Sequence, residues 1–380
     1  MKILMLTPSL EKSGGVQRYS ATLARALQDL EGVQSVRCAS LDEDPVGQGT
    51  TRLSARSKWR FGWQAISDAV RWRPDLIICT HLALGPIGRL AGVLAGSSYW
   101  IVLHGLEAWR VLPKGKRTAL HRASRVIVTS AFSREQIVKL HRIDEARISW
   151  LPCTLDETLL SAELSNTGPC ARISDAQRVV LTVGRMAAVE RYKGHDECLR
   201  ALPSVVAMIP NLTYVIVGGG DDRSRLERLS QDLGVAGNVV FTGEITDSEL
   251  AAVYRRSEVF LLPARTVIDN DNPKGEGFGI VYLEAMAFGK PIIGPDRGAP
   301  AEIISHGQQG LLVDPTDSAA IAESVLDLLN NPAKAREMGH AGSEWVKRNY
   351  SYDSFRGRLT EILAACTATG HRPPIPDAHT

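Results

Sequence analysis

Short apolar runs and longer amphipathic stretches alternate along the chain. The runs at residues 2–6, 35–39, 76–79, 100–103, 126–129 and 148–151 are too short for helices and rich in Val, Ile and Leu. Such runs, without a polar residue at alternate places, predict parallel strands buried on both faces. Between the first two, Val16, Tyr19, Leu23, Ala26, Leu27 and Leu30 recur at helical spacing and predict one amphipathic helix. Ser133 with Gln136 three residues on predicts the capped start of another. The pattern lapses after Pro152, where residues 153–177 hold Asn166, Thr167, Gly168 and Pro169 and read as a linker. It restarts with strands at 178–183, 213–217, 239–242, 259–262, 291–293 and 311–313, and a helix at 280–288.

Alternation in two blocks predicts two doubly wound α/β domains, one over residues 1–165 and one over 175–350. Ligands bind at the carboxyl ends of the strands in such sheets, so two facing domains would leave a cleft for substrates. A helix-like segment at 352–366 follows, and the proline-bearing tail 367–380 is expected to be disordered.

Composition narrows the class. A length of 380 residues with 44% apolar and 23% charged residues suits about two globular domains. The first apolar run is too short for a signal peptide, and the longest charge-free stretch, 90–103, is too short to span a membrane. The six cysteines are scattered with no C-x-x-C pair, which argues against zinc and disulfides and for a reducing cytoplasm.

The net charge of +2 hides an asymmetry. Residues 1–150 hold 22 Lys and Arg against 12 Asp and Glu, a net of +10, and residues 151–380 hold 22 against 30, a net of −8. A basic first half suggests an anionic partner there. Arg52, Arg56, Lys58 and Arg60 stand beside Trp59, Phe61 and Trp63, and Arg110, Lys114, Lys116, Arg117, Arg122 and Arg125 follow Trp109. Cations with aromatic rings suit a membrane interface, and an anionic membrane surface is an expected partner. No nucleic-acid motif accompanies them.

Candidate chemistry lies just after predicted strands. In G-E-G-F-G (275–279) ahead of the helix at 280–288, Gly277 and Gly279 let a ligand approach the backbone. The helix start offers N–H groups to a phosphate. Glu276 and Glu284 could hold two parts of one extended ligand, Glu284 accepting from vicinal hydroxyls such as those of a ribose. A glycine turn followed by an exposed helical Glu is the competing reading. Arg185 follows the strand at 178–183, and Lys193 precedes a helix; together they could clamp a diphosphate leaving group. A solvated basic loop with an ion pair to Glu190 is the alternative. Ser13-Gly14-Gly15 and Gly218-Gly219-Gly220 are permissive turns at strand ends, and neither is a G-x-G-x-x-G fingerprint. His81 and His104 follow neighbouring strands, where either could bind a hydroxyl or shuttle a proton.

These residues together carry a resemblance. Glu276 and Glu284 form E-x7-E within G-E-G-F-G-x-x-x-x-E-A-M-A, with G-R and K-G upstream and an early Gly-Gly. The chain resembles the family 4 retaining glycosyltransferases of the GT-B fold, over roughly residues 1–350. The resemblance implies two facing Rossmann-like domains, the first for the acceptor and the second for a nucleotide-diphosphate sugar, with the last helix crossing back to the first. It implies that Arg185 and Lys193 hold the donor diphosphate, Glu284 the ribose and Glu276 the donor sugar. Phe278, Gly279 and Ile280 would lie along sugar and phosphate, and Gly15 against the phosphate; Gly218, by its own place at a strand end, could pass under the base or ribose or be a simple strand-to-helix turn. His104, in the family's H-G position, would sit near the donor sugar and the acceptor, and His81, in the equivalent place one strand earlier, is expected on the acceptor side. Of these, Glu276, His104, Arg185 and Lys193 are the expected catalytic group. No metal and no cofactor are implied, and Asp269-Asn270-Asp271 reads as a rim of the sugar pocket.

The activity so implied is transfer of a hexose from a GDP- or UDP-sugar to a hydroxyl of a glycan or lipid-linked saccharide, with retention, in cell-surface polysaccharide or glycolipid synthesis. The expected place is the cytoplasm, peripheral on the inner face of the membrane. A nucleotide-sugar-binding protein without turnover and an epimerase on the same fold are the alternatives. A nicotinamide oxidoreductase is disfavoured by the missing glycine fingerprint.

Overall fold

The structure is a computed structural model that describes all residues except 11–13, 41–50, 55–57, 163–173, 175, 270 and 368–380. Side chains at 51–54, 58 and 366–367 are also outside the description. Ser13, the basic side chains Arg52, Arg56 and Lys58, Asn270, most of the expected linker and the tail therefore lie outside the described residues.

Over the described residues the chain divides into two compact units, Met1–Thr154 with the short segment 269–272 and residues 352–367, and Leu155–Ile268 with Pro273–Ser351. In the first, β1 (Lys2–Thr7), α1 (Gly15–Gln28), β2 (Ser35–Ser40), β3 (Thr51–Ser54), α2 (Lys58–Trp72), β4 (Leu76–Cys79) and α3 (Gly85–Ala95) come first. Then follow β5 (Ser98–Leu103), α4 (Lys114–Arg122), β6 (Arg125–Val128), α5 (Ala131–His141) and β7 (Ile148–Trp150). In the second, α6 (Glu157–Leu160), β8 (Arg178–Val183), α7 (His195–Met208), β9 (Leu212–Val217), α8 (Arg223–Asp232), β10 (Val239–Gly243) and α9 (Asp247–Arg256) lead. The rest are β11 (Val259–Leu261), α10 (Ile280–Ala287), β12 (Ile292–Pro295), β13 (Gly310–Val313), α11 (Ser318–Asn330) and α12 (Pro332–Asn349). Helix α13 (Tyr352–Thr367) groups with the first unit.

Both sheets are parallel throughout. The first has seven strands in the order β3-β2-β1-β4-β5-β6-β7, and the second six in the order β10-β9-β8-β11-β12-β13. Strand order reverses at β1/β4 and again at β8/β11, and at such a switch point the two following loops part and leave a crevice at the carboxyl edge. Strands such as Ile3–Leu6 and Tyr214–Ile216 are wholly buried, which is why they read as unbroken apolar runs.

Three expectations change. The strand β3 was not foreseen; Thr51–Ser54 is polar, as an edge strand can be. The cap of α5 is Ser130, one turn before Ser133: its Oγ accepts from the Ser133 N–H at 3.1 Å, and Gln136 lies inside the helix. Two of the aromatic residues assigned to a membrane face belong to the core. Trp109 is fully buried, with its indole N–H donated to Ser133 Oγ at 3.3 Å, and Phe61 is buried in the same unit. Trp59 and Trp63 are exposed.

Candidate active site

Beyond the ends of β8 and β9, next to the β8/β11 switch point, backbone pairing continues. The Gly184 N–H donates to Val217 O at 2.9 Å and the Met186 N–H to Gly219 O at 2.8 Å. The glycines opposite are required by this approach. Gly218 and Gly220 have φ of 138° and 149°, and a Cβ would stand 2.3 Å from Gly184 O and 2.1 Å from Met186 O. The Gly218–Gly220 turn thus holds the backbone from which Arg185 projects.

Arg185 is exposed and ion-paired to Glu190, so the pair anticipated for a basic loop exists. Lys193 is nearly buried and ion-paired to Glu276, with a Glu190 carboxylate oxygen 4.0 Å away. Gly184 leaves room for it, since a Cβ there would lie 3.2 Å from Lys193 Cδ. Gly194 (φ 80°) turns the chain into α7. His195 opens that helix, buried, with Nε2 3.3 Å from Arg185 O. Burial pushes its imidazole down to about 4, so it is neutral at pH 7 and its Nε2–H donates to that carbonyl.

Glu276 reaches Lys193 because its loop is closed at the base. Val267 and Lys274 exchange backbone hydrogen bonds of 2.7 and 2.9 Å two residues earlier. The Asp271 N–H donates to Asp269 Oδ1 at 3.0 Å within that loop. Gly279, with φ of 97°, makes the left-handed turn into α10, and Phe278 is buried with its ring 5.9 Å from that of Tyr350. Ile280 begins the helix, whose N-terminus presents the favourable end of its dipole. Glu284 is only 1% exposed, and Tyr254 Oη donates to its Oε2 at 3.0 Å. The reading of Glu284 as an exposed helical residue is therefore wrong: a buried carboxylate without a partner would be expensive, and Tyr254 supplies one. Nothing in the sequence links positions 254 and 284, so Tyr254 was missed.

In the first unit, Gly14 (φ 126°) caps α1 and Gly15 is its first residue, after β1. His81 follows β4 and accepts the Ala83 N–H on Nδ1 at 3.1 Å; burial, the largest influence on it, lowers its pKa. His104 follows β5. Its backbone N–H donates to Glu107 Oε1 at 2.6 Å, and its Nε2 stands 2.8 Å from Thr80 O, an acceptor to which Nε2–H donates. The two imidazoles stack with centroids 6.2 Å apart, and Tyr19 meets His104 edge-on at 5.2 Å. Tyr19 lay on the predicted core face of α1, and its ring contact with a site residue was not legible there. The structure therefore gathers Arg185, Lys193, Gly218, Glu276, Phe278, Gly279, Ile280 and Glu284 in the second unit, and Gly15, His81 and His104 in the first. Among the described residues no group of three or more His, Cys, Asp or Glu has metal-binding geometry.

Comparison with known proteins adds an independent line. Residues 171–345 match the family described as "Glycosyl transferases group 1", and residues 13–159 match "Glycosyltransferase Family 4". The chain is 36% identical over 295 residues to a GDP-mannose-dependent alpha-(1-6)-phosphatidylinositol monomannoside mannosyltransferase of Mycolicibacterium smegmatis, covering 74% of this chain and 73% of that one. A monoacylated phosphatidylinositol monomannoside mannosyltransferase of Corynebacterium glutamicum, also GDP-mannose-dependent, is 30% identical over 74% of both chains. Among solved structures, a glycosyltransferase from Rickettsia africae superimposes with a TM-score of 0.79 over 97% of this chain and 99% of its own, at 18% identity. Anabaena HepE in complex with UDP gives 0.77 over 96% and 100%, also at 18%. Identities that low speak to the fold alone.

Proposed function

This chain belongs to the family 4 glycosyltransferases and transfers a sugar from a nucleotide-diphosphate donor, and from that premise we propose that the sugar is mannose, carried by GDP, and the acceptor a hydroxyl of a phosphatidylinositol-linked saccharide. The relatives' specificity supports the choice of donor and acceptor. The observation that carries the donor site is the meeting of Lys193 and Glu276 four residues ahead of α10, with Arg185 on the adjoining strand end.

In this reading Arg185 and Lys193 take the diphosphate oxygens, and the N-terminus of α10 adds its dipole. Glu284, oriented by Tyr254, takes the ribose hydroxyls, and Glu276 leaves Lys193 to hold the sugar. Phe278, Gly279 and Ile280 line sugar and phosphate, and Gly218 underlies the nucleotide. Gly15 approaches the phosphate. As the bond from sugar C1 to the phosphate oxygen breaks, negative charge grows on the leaving diphosphate and is met by the two cations. The sugar carbon becomes oxocarbenium-like. The acceptor oxygen forms the new bond to C1 on the same face, its proton passing to a phosphate oxygen, so configuration is retained. His104 and His81 take acceptor hydroxyls. Two fixed cations meet the diphosphate charge without a metal, so transfer continues in a chelator. The acceptor's lipid puts the enzyme on the inner face of a membrane.

The test is transfer of labelled mannose from GDP-mannose to a phosphatidylinositol mannoside, with UDP-glucose and UDP-galactose as alternative donors and the product anomer read by NMR. Melting shifts with GDP, UDP, ADP and NAD accompany it; a ligand at about 100 times its dissociation constant adds ~2.7 kcal/mol. An α-linked product from GDP-mannose alone is expected. Preference for a UDP-sugar, or an inverted product, overturns the reading.

A further inference from the structure

Helix α3 is seated inside out for a surface helix. Gly85, Gly88, Ala91 and Gly92 make its buried face, and Gly88 is so close to the sheet that a Cβ would stand 2.2 Å from Cys79 Sγ. Its larger apolar side chains Leu90 and Leu94 point outward and are exposed. Water-facing helices ordinarily put polar residues there.

The neighbouring helix continues this surface. On α2, Trp59, Trp63 and Val70 recur at i, i+4 and i+11, one stripe; the tryptophans are 83% and 73% exposed. Gly62 flanks that stripe and faces α3, since a Cβ there would lie 3.7 Å from Ile87 Cδ1. Leu90 and Leu94 stand three and seven residues beyond Ile87, on the same side of α3. Both stripes therefore border one seam and form a single apolar ridge. Both helices begin at the carboxyl edge of the first sheet, the edge that carries His81 and His104, and the tryptophans lie at that end.

The rim is cationic. Arg60 and Arg71 on α2 and Arg89 on α3 are exposed. Between residues 45 and 106 the acidic residues are Asp68 and Asp75. Asp68 sits 3.9 Å from Arg37, and Asp75 accepts the Lys2 N–H at 2.7 Å. We infer that this ridge inserts into the headgroup layer of a bilayer containing anionic lipid, holding the enzyme where a lipid-linked acceptor lies; the inference rests on the lipid acceptor proposed above. Tryptophan suits that depth, and the arginines meet lipid phosphates around it.

The test is flotation of the full chain with vesicles of phosphatidylcholine alone and with added phosphatidylglycerol, together with quenching of tryptophan fluorescence by brominated lipid. Binding to the mixed vesicles is expected, with quenching. The double variants W59S/W63S and L90S/L94S should each bind roughly tenfold or more weakly, with unchanged melting temperature and unchanged transfer to a short-chain, water-soluble acceptor. Equal binding by the variants overturns the proposal. So does absent vesicle binding with self-association that the variants abolish, which would make the ridge a contact between copies. Vesicle binding needs neither donor nor acceptor, so a wrong sugar or acceptor assignment shows as failed transfer while flotation stands.

Discussion

Lys193 and Glu276, 83 positions apart in the chain, form an ion pair at the carboxyl edge of the second sheet, with both side chains largely withdrawn from water. If the donor binds as proposed, a diphosphate arriving at Lys193 would compete with that carboxylate. The pair would then be a placeholder, satisfying a nearly buried cation until the ligand's own anion replaces it and releases Glu276.

Replacing Glu276 with Gln should separate binding from turnover. The variant should bind free GDP several-fold more tightly, because Lys193 loses its charged competitor, while transfer falls at least about tenfold. Lys193→Ala should weaken both. Titration calorimetry beside initial rates would read this, and unchanged GDP affinity in E276Q would remove the competition.

Tyr254→Phe keeps the ring, which stacks on Phe288 at 5.1 Å, and removes the hydroxyl bonded to Glu284. Loss of that donor to a buried carboxylate should cost about 1–3 kcal/mol. If Glu284 holds the ribose, the Michaelis constant for donor should rise in both Y254F and E284A. A stability change with donor kinetics untouched would confine the pair to a structural role.

His195 should mark the acid side of the stability curve. Its folded pKa of about 4 lies below the ordinary value of 6.5, so the unfolded chain binds a proton that the folded chain refuses between those values. Its contribution is intact above pH 6.5 and is lost as pH falls toward 4, by about 3 kcal/mol in all. His195→Gln should flatten the fall in denaturant midpoint across that window. Parallel curves for both proteins would show that other groups set the acid limit.

Gly220→Ala should be poorly tolerated. The new Cβ would meet a backbone carbonyl that cannot swing aside, at a φ that L-residues avoid. A melting temperature lower by more than about 4 °C is expected, with weaker nucleotide binding through displaced Arg185. Gly237→Ala, where a Cβ meets nothing within 4 Å and φ is not positive, is the control.

The division of labour between sequence and structure follows from what is local. Strands buried on both faces, such as β8 and β9, leave an unbroken apolar run that is visible in one dimension, and helix α1 leaves its periodicity. The E-x7-E spacing places Glu276 and Glu284 on one loop-helix unit, so both were legible. The edge strand β3 was not, because Thr51–Ser54 is short and holds a single apolar residue, so it leaves no apolar run in the sequence. The start of α5 slipped by one turn because Ser130 and Ser133 are chemically equivalent caps, and only the backbone turn at Ser130 selects between them. Trp59 and Trp109 both stand beside cations in the sequence, yet one is exposed and the other sealed in the core.

What the sequence by itself determined is thus the set of elements, the two-block order and the motif residues, each fixed by contacts within a few residues. What only the tertiary structure decided is which distant groups share a charge or a seam: Lys193 with Glu276, Tyr254 with Glu284, and the outward leucines of α3 with the tryptophans of α2. Those depend on strand order and helix facing, and free energies of burial and pairing between residues far apart in the chain leave no periodic trace along it.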